Sequence, residues 1–500
     1  MQRNVSSPRE ERNSRALPLP LTTALTTIIL AIAAFIQIRG GFNLDVSWFI
    51  TFAERTFQGA IPYVEVSDPN PPASIMIYLP ALFAAKWTGL KVEALVAIMT
   101  FAMAIASAKM ASSFDPSRRS ITYLAALFSL TVVPAAMFAE REHYAAIAAL
   151  PAVAAIVAAG RGLAISRAVK LAAGAVGALT VAFKPHFAAA LAIPAIYATV
   201  RRRSLRWISP WEVAAFVGVL GLYVAVSYYA YPAYFTIALP EAVRLYAGAH
   251  ATIWMAIGSA NIWFMIAVVT VSMALALRFT LSPAATGAAL ASLGFAIACF
   301  VQQRYQVNHT SPAVEIGTVA LIEAAFVCGI RTLAIQAIVV GLAVMAPIYM
   351  RICSSLMQTM TEPGLVETIQ RYLPADGGRL AAITESQELM WPAARLTGAK
   401  WVYRYNGLYR QGTADWLLEQ KPDAATVEYL NEIITSDQDQ VAEDIVRGRP
   451  DVVVIDDAAV RERAFANPAV AAAMSGYQMV ATVPTSVRLV EIWKHSTKSR

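Results

Sequence analysis

Charged side chains are scarce in this chain. Asp, Glu, Lys and Arg make up 15% of its 500 residues, whereas soluble domains carry about 25%. Hydrophobic residues make up 57%, so the composition excludes an ordinary soluble protein and indicates an integral membrane protein. The basic residues behind the net charge of +7 are scattered at the ends of hydrophobic segments, so we expect no nucleic-acid partner.

Cysteine is almost absent as well. The three cysteines, Cys299, Cys328 and Cys353, lie in or beside hydrophobic segments without metal-ligand spacing, so we expect no disulfide framework. The sequence also lacks a G-x-G-x-x-G or P-loop motif, the common fingerprints of nucleotide phosphate binding. No internal repeat is visible, although many transporters are built from repeats. These absences disfavour a nucleotide-binding fold and a repeat-built transporter.

Long hydrophobic segments fill the chain after a polar tail, 1–19, which we expect to be cytoplasmic and disordered. We expect a transmembrane domain over 20–352. A cleaved signal peptide is the alternative for its first segment, but no clear small-residue cleavage site precedes Asp45. Since a bilayer requires about 20 apolar residues per helix, we expect about eleven spans: 20–38, 92–111, 121–138, 144–160, 171–184, 187–200, 211–230, 252–276, 282–300, 312–330 and 332–350.

The segment 72–88 decides the topology. If it lies at the membrane interface, the cytoplasmic side holds 16 of the Lys and Arg residues up to position 350 and the outer side holds 8. If it spans, those counts become 10 and 14. Because short cytoplasmic loops favour Lys and Arg, we expect an interfacial 72–88, a cytoplasmic N-terminus and an outer C-terminal domain.

The first external loop, with its juxtamembrane helices, covers 39–91. Asp45 lies just past the expected membrane edge and is followed by a segment of helical period, 47–59, which predicts an interfacial helix. Pro62-Tyr63 and then Asp68-Pro69-Asn70-Pro71-Pro72 follow, and the prolines fix an extended turn. An ordinary solvated loop with an N-cap aspartate is the alternative.

Three further polar clusters fall on the expected outer side. Consecutive ionisable residues between apolar helices are costly and point to function, while solvated loop charges and a lysine reaching the membrane edge are the alternatives. The clusters are Glu140-Arg141-Glu142-His143, Lys184 with His186, and the run Gln302 to His309, which contains Arg304.

The composition changes after residue 350. Residues 355–500 have the charge and periodicity of a soluble domain. Buried strands are expected at 379–384 and 451–456, one or two more at 477–493, and helices at 425–447 and 457–475. Alternating strands and helices predict a small α/β domain.

The first loop resembles that of GT-C glycosyltransferases, which use polyprenyl-phosphate sugars and include protein O-mannosyltransferases and lipid A aminoarabinose transferases. The matches are Asp45, the 47–59 helix, Pro62-Tyr63 and the turn from Asp68 to Pro72. Many members have two adjacent acids at the first position, where this chain has Asp45 followed by Val46. The family also places acidic, lysine-bearing and Gln/His-rich segments in its later outer loops.

The resemblance implies a polytopic α-helical GT-C fold and inverting transfer of a sugar to a lipid, glycan or protein acceptor at the outer face of a bacterial inner membrane. Asp45 is the expected general base, and Glu140, Glu142 and His143 orient that base or hold a divalent metal ion, the one cofactor considered. The leaving phosphate needs positive charge. The expected substrate-binding residues are Tyr63, Asp68, Arg141, Lys184, His186, Arg304 and His309.

Two other functions stay open. A lipid-linked saccharide polymerase or ligase shares the donor but relies more on arginines in a large outer loop. A transporter or flippase favours internal repeats and sites near the bilayer midplane.

Overall fold

The computed structural model describes residues 17–246, 250–327, 333–357, 363–375, 377–485 and 488–496. Most of the expected N-terminal tail therefore lies outside the described residues. The helices up to residue 357 are α1 Leu19–Gly40, α2 Leu44–Phe57, α3 Ala73–Met76, α4 Leu79–Thr88, α5 Val92–Ser112, α6 Arg119–Thr131, α7 Arg141–Arg161, α8 Arg167–Phe183, α9 Ala188–Arg202, α10 Pro210–Ala230, α11 Leu239–Tyr246, α12 Ile253–Gly258, α13 Ala260–Arg278, α14 Pro283–Gln302, α15 Val307–Val327 and α16 Leu333–Met357.

Seven of the helices in the described part of the chain are long and apolar enough to cross a membrane. The chain is thus a largely helical protein of membrane-compatible character. These seven are α1, α5, α7, α10, α13, α14 and residues Leu333–Ile352 of α16. The other four expected spans coincide with α6, α8 and α9, which are shorter, and with α15, which carries more polar residues.

The C-terminal segment forms a small sheet covered by helices. Its elements are α17 Pro363–Tyr372, β1 Arg379–Ile383, α18 Gln387–Met390, α19 Ala393–Leu396, β2 Lys400–Trp401, α20 Tyr409–Glu419, α21 Ala424–Gly448, β3 Val452–Ile455, α22 Ala458–Phe465, α23 Pro468–Met474, β4 Tyr477–Pro484 and β5 Leu489–His495. The strand order is β2-β1-β3-β5-β4. β1 pairs in parallel with β2 and β3, with Leu380 opposite Val452, whereas β5 is antiparallel to β3 and β4. The expected α/β pattern is confirmed, with the 457–475 helix divided before Pro468.

The chain divides into two compact units. The helical unit comprises the chain up to Phe42, Glu93–Val226 and Ala251–Ser354. The mixed unit comprises Asn43–Val92, Ser227–His250 and Ser355–Arg500. The first external loop, which the sequence assigned to the transmembrane domain, thus has its contacts with the C-terminal segment.

Small side chains let the helices of the helical unit approach closely. A Cβ atom added at Gly294 of α14 would lie 2.4 Å from the Ala189 carbonyl oxygen of α9. A Cβ added at Gly287 would lie 2.8 Å from the Val153 carbonyl oxygen of α7. Glycine and alanine permit such approaches where there is no room for larger residues. As a result α7 lies at the centre of the unit, with nearly all of its side chains buried.

In the mixed unit, α2 begins three residues earlier than the predicted 47–59 helix. The Asn43 side chain caps it by accepting a hydrogen bond from the Val46 amide at 3.0 Å, which satisfies one of the free N–H groups of the first turn. Asp45 therefore lies within the first turn of α2. The segment 72–88, expected as one interfacial helix, forms the two short helices α3 and α4.

Candidate functional site

The Glu140 to His143 cluster lies at the N-terminus of α7 and is buried. The exposed fractions of the four residues range from 0 to 5%. Glu140 precedes the first turn, and Arg141 and Glu142 fall within it. A solvated loop would leave these side chains in water, so the structure excludes that alternative for this cluster.

Glu142 is the centre of a group of cations. Its Oε1 atom accepts from Lys184 Nζ at 2.6 Å and from Arg141 Nε at 3.1 Å. Lys184 follows α8 in extended conformation, with φ −151°, because the next residue is Pro185 and a residue before proline avoids the α region. That break turns the lysine away from the helix, so it is not a side chain reaching for the membrane edge.

Lys184 also joins the third cluster. Its Nζ atom donates to Gln302 Oε1 at 3.4 Å and to His309 Nδ1 at 3.3 Å. An ammonium group has no acceptor, so Nδ1 of His309 is the acceptor and its imidazole is neutral. The three polar clusters that the sequence placed in separate loops therefore converge within the helical unit around Glu142. We call Arg141, Glu142, Lys184 and His309 the cation cluster.

The cation cluster brings two cations to one carboxylate. Arg141 and Lys184 contribute two positive charges and Glu142 one negative charge, while His309 is neutral. Burial and the neighbouring Lys184 charge lower the pKa of His186 to about 4, so it adds no charge at neutral pH. The charge of Arg304 also acts on His309. Two buried cations on one carboxylate oxygen can bind an anionic ligand.

His143 has a different environment from its neighbours. Its Nδ1 accepts from the Ala139 amide at 3.0 Å, and its Nε2 donates to the Leu130 carbonyl at 2.8 Å. Both ring nitrogens are thus engaged by the backbone, which favours a structural role over the expected catalytic one.

Two of the three residues expected to hold a metal are engaged by other partners. Glu142 is paired with two cations, and His143 has no ring nitrogen left for a metal. In the part of the chain that the structure describes, no group of three or more His, Cys, Asp or Glu side chains is arranged to bind a metal ion. We therefore derive no step through a metal.

Asp68 and Tyr63 shape the turn in the mixed unit. Asp68 accepts from Trp48 Nε1 at 2.9 Å, and from the backbone and side-chain nitrogens of Asn70 at 2.9 and 2.6 Å. The Tyr63 hydroxyl donates to the Asn70 carbonyl at 2.8 Å. These bonds fix the proline turn, so the two residues expected to bind substrate hold the loop in shape.

Asp45 is half-buried on α2 and has an acidic neighbour that the sequence did not reveal. Burial raises the pKa of Glu388 on α18, and the charges of Asp456 and Asp45 raise it further. Asp45 and Glu388 therefore influence each other although they lie far apart in sequence.

Contacts with the C-terminal segment hold α2 in place. Arg395 of α19 donates to both carboxylate oxygens of Glu54 at 2.6 and 2.9 Å, and to Thr51 Oγ1 at 2.9 Å. The Trp48 and Trp391 rings pack edge to face with centroids 5.3 Å apart. A bidentate carboxylate pair fixes orientation as well as distance, so the C-terminal segment orients the helix that carries Asp45.

No protein-family model, curated protein or solved structure matches this chain. The functional argument therefore depends on the geometry.

Sequence reasoning missed two buried carboxyl groups in α15, Glu315 and Glu323. Glu323 accepts from the Ser282 amide and hydroxyl, both at 2.6 Å, and from Thr122 at 2.7 Å, so it ties α14 and α6 to α15. The available signal was two glutamates within an apolar helix, since ionisable residues in such helices are rarely without a role.

Proposed function

We propose that the protein is a membrane glycosyltransferase that takes its sugar from a polyprenyl-phosphate donor. The observation that carries this proposal is the pair of buried cations, Arg141 and Lys184, on the same Glu142 oxygen. A polyprenyl-phosphate sugar presents one negative charge next to its anomeric carbon, and a compact lysine and a planar arginine are the side chains suited to phosphate.

Five of the polar side chains have a role in the proposed reaction. Lys184 and Arg141 bind the donor phosphate and stabilise its charge as the sugar–phosphate bond breaks. Asp45 accepts the proton of the acceptor hydroxyl as it attacks, an assignment that rests on the GT-C resemblance. Asp68 and Tyr63 position the first loop.

The topology belongs to the same proposal. We place the N-terminus in the cytoplasm, eleven helices across a bacterial inner membrane and the C-terminal α/β segment on the outer side. The support is the distribution of Lys and Arg, which favours the cytoplasmic side 16 to 8.

The test is transfer from a radiolabelled polyprenyl-phosphate sugar by purified protein in nanodiscs. Wild type should form product, and Lys184→Gln should lower kcat/KM for the donor by roughly 10- to 100-fold, the loss expected for one charge-assisted hydrogen bond. Lys109→Gln, the same change at an exposed lysine of the helical unit, is the matched control. No transfer from either mono- or diphosphate donors to a panel of acceptors would contradict the proposal.

A lipid-phosphate flippase is the second candidate, because charged side chains lie buried inside the helical unit and transporters use such groups. Movement of the labelled lipid across a vesicle bilayer without formation of a glycosylated product would favour it over transfer.

A further inference from the structure

Four arginines stand close together in the loop that joins α9 to α10. They are Arg201, Arg202, Arg203 and Arg206, and we call residues 201–207 the arginine loop. All four are exposed. Arg202 donates to the Ala159 carbonyl at 3.3 Å, but within the described part of the chain none of the four forms an ion pair. The proposed reaction uses none of these charges.

Hydrogen bonds give the arginine loop a defined shape. Arg203 ends α9 in the left-handed region, with φ 51°. The Arg206 amide then donates to Ser204 Oγ at 3.1 Å, and Trp207 Nε1 donates back to Thr199 Oγ1 on α9 at 3.0 Å. The loop is therefore a turn that keeps its four charges grouped at the end of the helix.

The start of α8 adds two more cations next to the start of α10. The Arg167 guanidinium lies 3.4 Å from the centre of the Trp211 ring. A Cβ atom added at Gly174 would collide with the Glu212 carbonyl, so α8 and α10 touch one turn beyond Lys170. Glu212 is the one acidic residue in the sequence from 143 to 240. Six cations thus share this end of the helical unit with one carboxylate.

The helix that follows the arginine loop places these cations at a membrane surface. α10 is long and apolar enough to cross a membrane, and 6% of its apolar window is buried inside the protein, so nearly all of its surface is left for lipid. Trp211 begins this helix, and tryptophan concentrates at the level of the headgroups. Leu205 and Ile208, which flank Arg206, are 64% and 41% exposed. Apolar side chains interleaved with arginines suit the boundary between acyl chains and phosphates.

We propose that the arginine loop, with Arg167 and Lys170, binds the headgroups of anionic phospholipids in the leaflet where α10 begins. A guanidinium group can hold a phosphate through two parallel hydrogen bonds, and groups of four or more basic residues beside a membrane helix attract anionic lipids. A zwitterionic lipid also carries a phosphate, but its ammonium group cancels the charge. Under the topology proposed above, this leaflet is the cytoplasmic one. Sugar transfer and its donor site do not enter this inference.

The test compares two lipids that differ in headgroup charge. The full-length protein, purified in an uncharged detergent, is titrated with phosphatidylglycerol or with phosphatidylcholine of the same acyl chains, and bound lipid is counted by native mass spectrometry. Wild type should bind phosphatidylglycerol more tightly. Arg203→Gln/Arg206→Gln should weaken that binding roughly 30-fold, about fivefold for each charge at an anionic surface, and leave phosphatidylcholine binding unchanged.

A matched control loses the same charge elsewhere. Arg371→Gln/Arg449→Gln removes two exposed arginines of the mixed unit, and Arg449, like Arg203, ends its helix in the left-handed region, with φ 44°. This control should bind phosphatidylglycerol as wild type does. Equal binding of the two lipids by wild type, or wild-type binding of phosphatidylglycerol by Arg203→Gln/Arg206→Gln, would overturn the proposal.

Two measurements on wild type need no variant to fold. Raising the salt concentration should weaken phosphatidylglycerol binding, because exposed charges are screened, and an affinity independent of salt would contradict the role of the arginines. Inorganic phosphate at the concentration of the lipid should not displace it, because the acyl chains add contacts with Leu205 and Ile208. Displacement by phosphate would show a site for free anions and overturn the assignment to lipid.

Discussion

Substitutions at Glu142 and Lys184 should have opposite effects on the binding of a lipid phosphate. The two side chains pair at 2.6 Å with almost no solvent access. A donor phosphate that takes hydrogen bonds from Lys184 must compete with Glu142 for the same ammonium group. Removing the lysine removes a ligand contact, whereas neutralising the glutamate removes the competitor.

The magnitude follows from the bonds involved. A hydrogen bond between charged groups contributes about 1.5–3 kcal/mol net, so Lys184→Gln should weaken binding of a polyprenyl-phosphate sugar by roughly 10- to 100-fold. Glu142→Gln keeps the shape of the side chain and frees both cations, so binding should tighten by about tenfold or more. Turnover need not rise with affinity, because only interactions gained in the transition state increase kcat.

The assay is a binding isotherm in detergent at constant ionic strength, with Lys109→Gln as control. Melting temperatures of each variant identify any loss of folding, which is a concern for Lys184→Gln because it leaves the buried Glu142 with one cation fewer. Weaker binding in a folded Glu142→Gln protein would refute the reasoning, since it would mean that Glu142 contacts the ligand and does not compete with it.

Three other predictions address the mixed unit and the topology. Asp45→Asn should lower turnover on the order of 10²–10⁴-fold. Asp68→Asn should chiefly lower the melting temperature, because the substitution disturbs the turn. Near-wild-type turnover in Asp45→Asn would show that Asp45 is not the base. Burial raises the pKa of Asp437 from 3.8 to about 6 against the opposing charge of Arg410. The folded state therefore retains a proton on Asp437 that the unfolded chain has lost. The contribution of Asp437 to the free energy of unfolding falls as pH rises from about 4 to about 6, by up to about 3 kcal/mol. Asp437→Asn should therefore make the melting temperature less dependent on pH over that window. On a cysteine-free background, a membrane-impermeant thiol reagent should label Ser436→Cys but not Ser204→Cys on intact cells, and the reverse pattern would invert the proposed topology.

The elements of the fold were largely readable from the sequence. Hydrophobic length and periodicity placed the helices, because burial of apolar side chains dominates their formation. The strands β1 and β3 were readable as short apolar runs between charged residues. The start of α2 was missed by three residues, although Asn43 is a good N-cap residue three positions before the amide that it accepts from. A strand of two residues such as β2 has no signal of its own, because its pairing with β1 defines it.

The candidate residues were less predictable than the elements. The sequence placed Arg141, Glu142, Lys184 and His309 on one side, but their pairing depends on how each helix is rotated, which tertiary packing determines. The break at Lys184-Pro185 was the one local cue that a lysine leaves its helix. The proximity of Asp45 to Glu388 arises from contacts across most of the chain length, so no local pattern contains it.

The contacts that hold α2 impose an order on biogenesis. Arg55 of α2 donates to the Tyr403 carbonyl, 348 residues later in the chain. At a synthesis rate of about 5–20 residues per second, the ribosome needs roughly 20 to 70 seconds to make that partner. During this interval Glu54 has no Arg395 to pair with, and the apolar face of α2 has no Trp391 to pack against. The first loop is thus made early and completed late, so a ribosome that stalls before residue 390 releases a chain whose Asp45 helix lacks its contacts with Trp391, Arg395 and Tyr403.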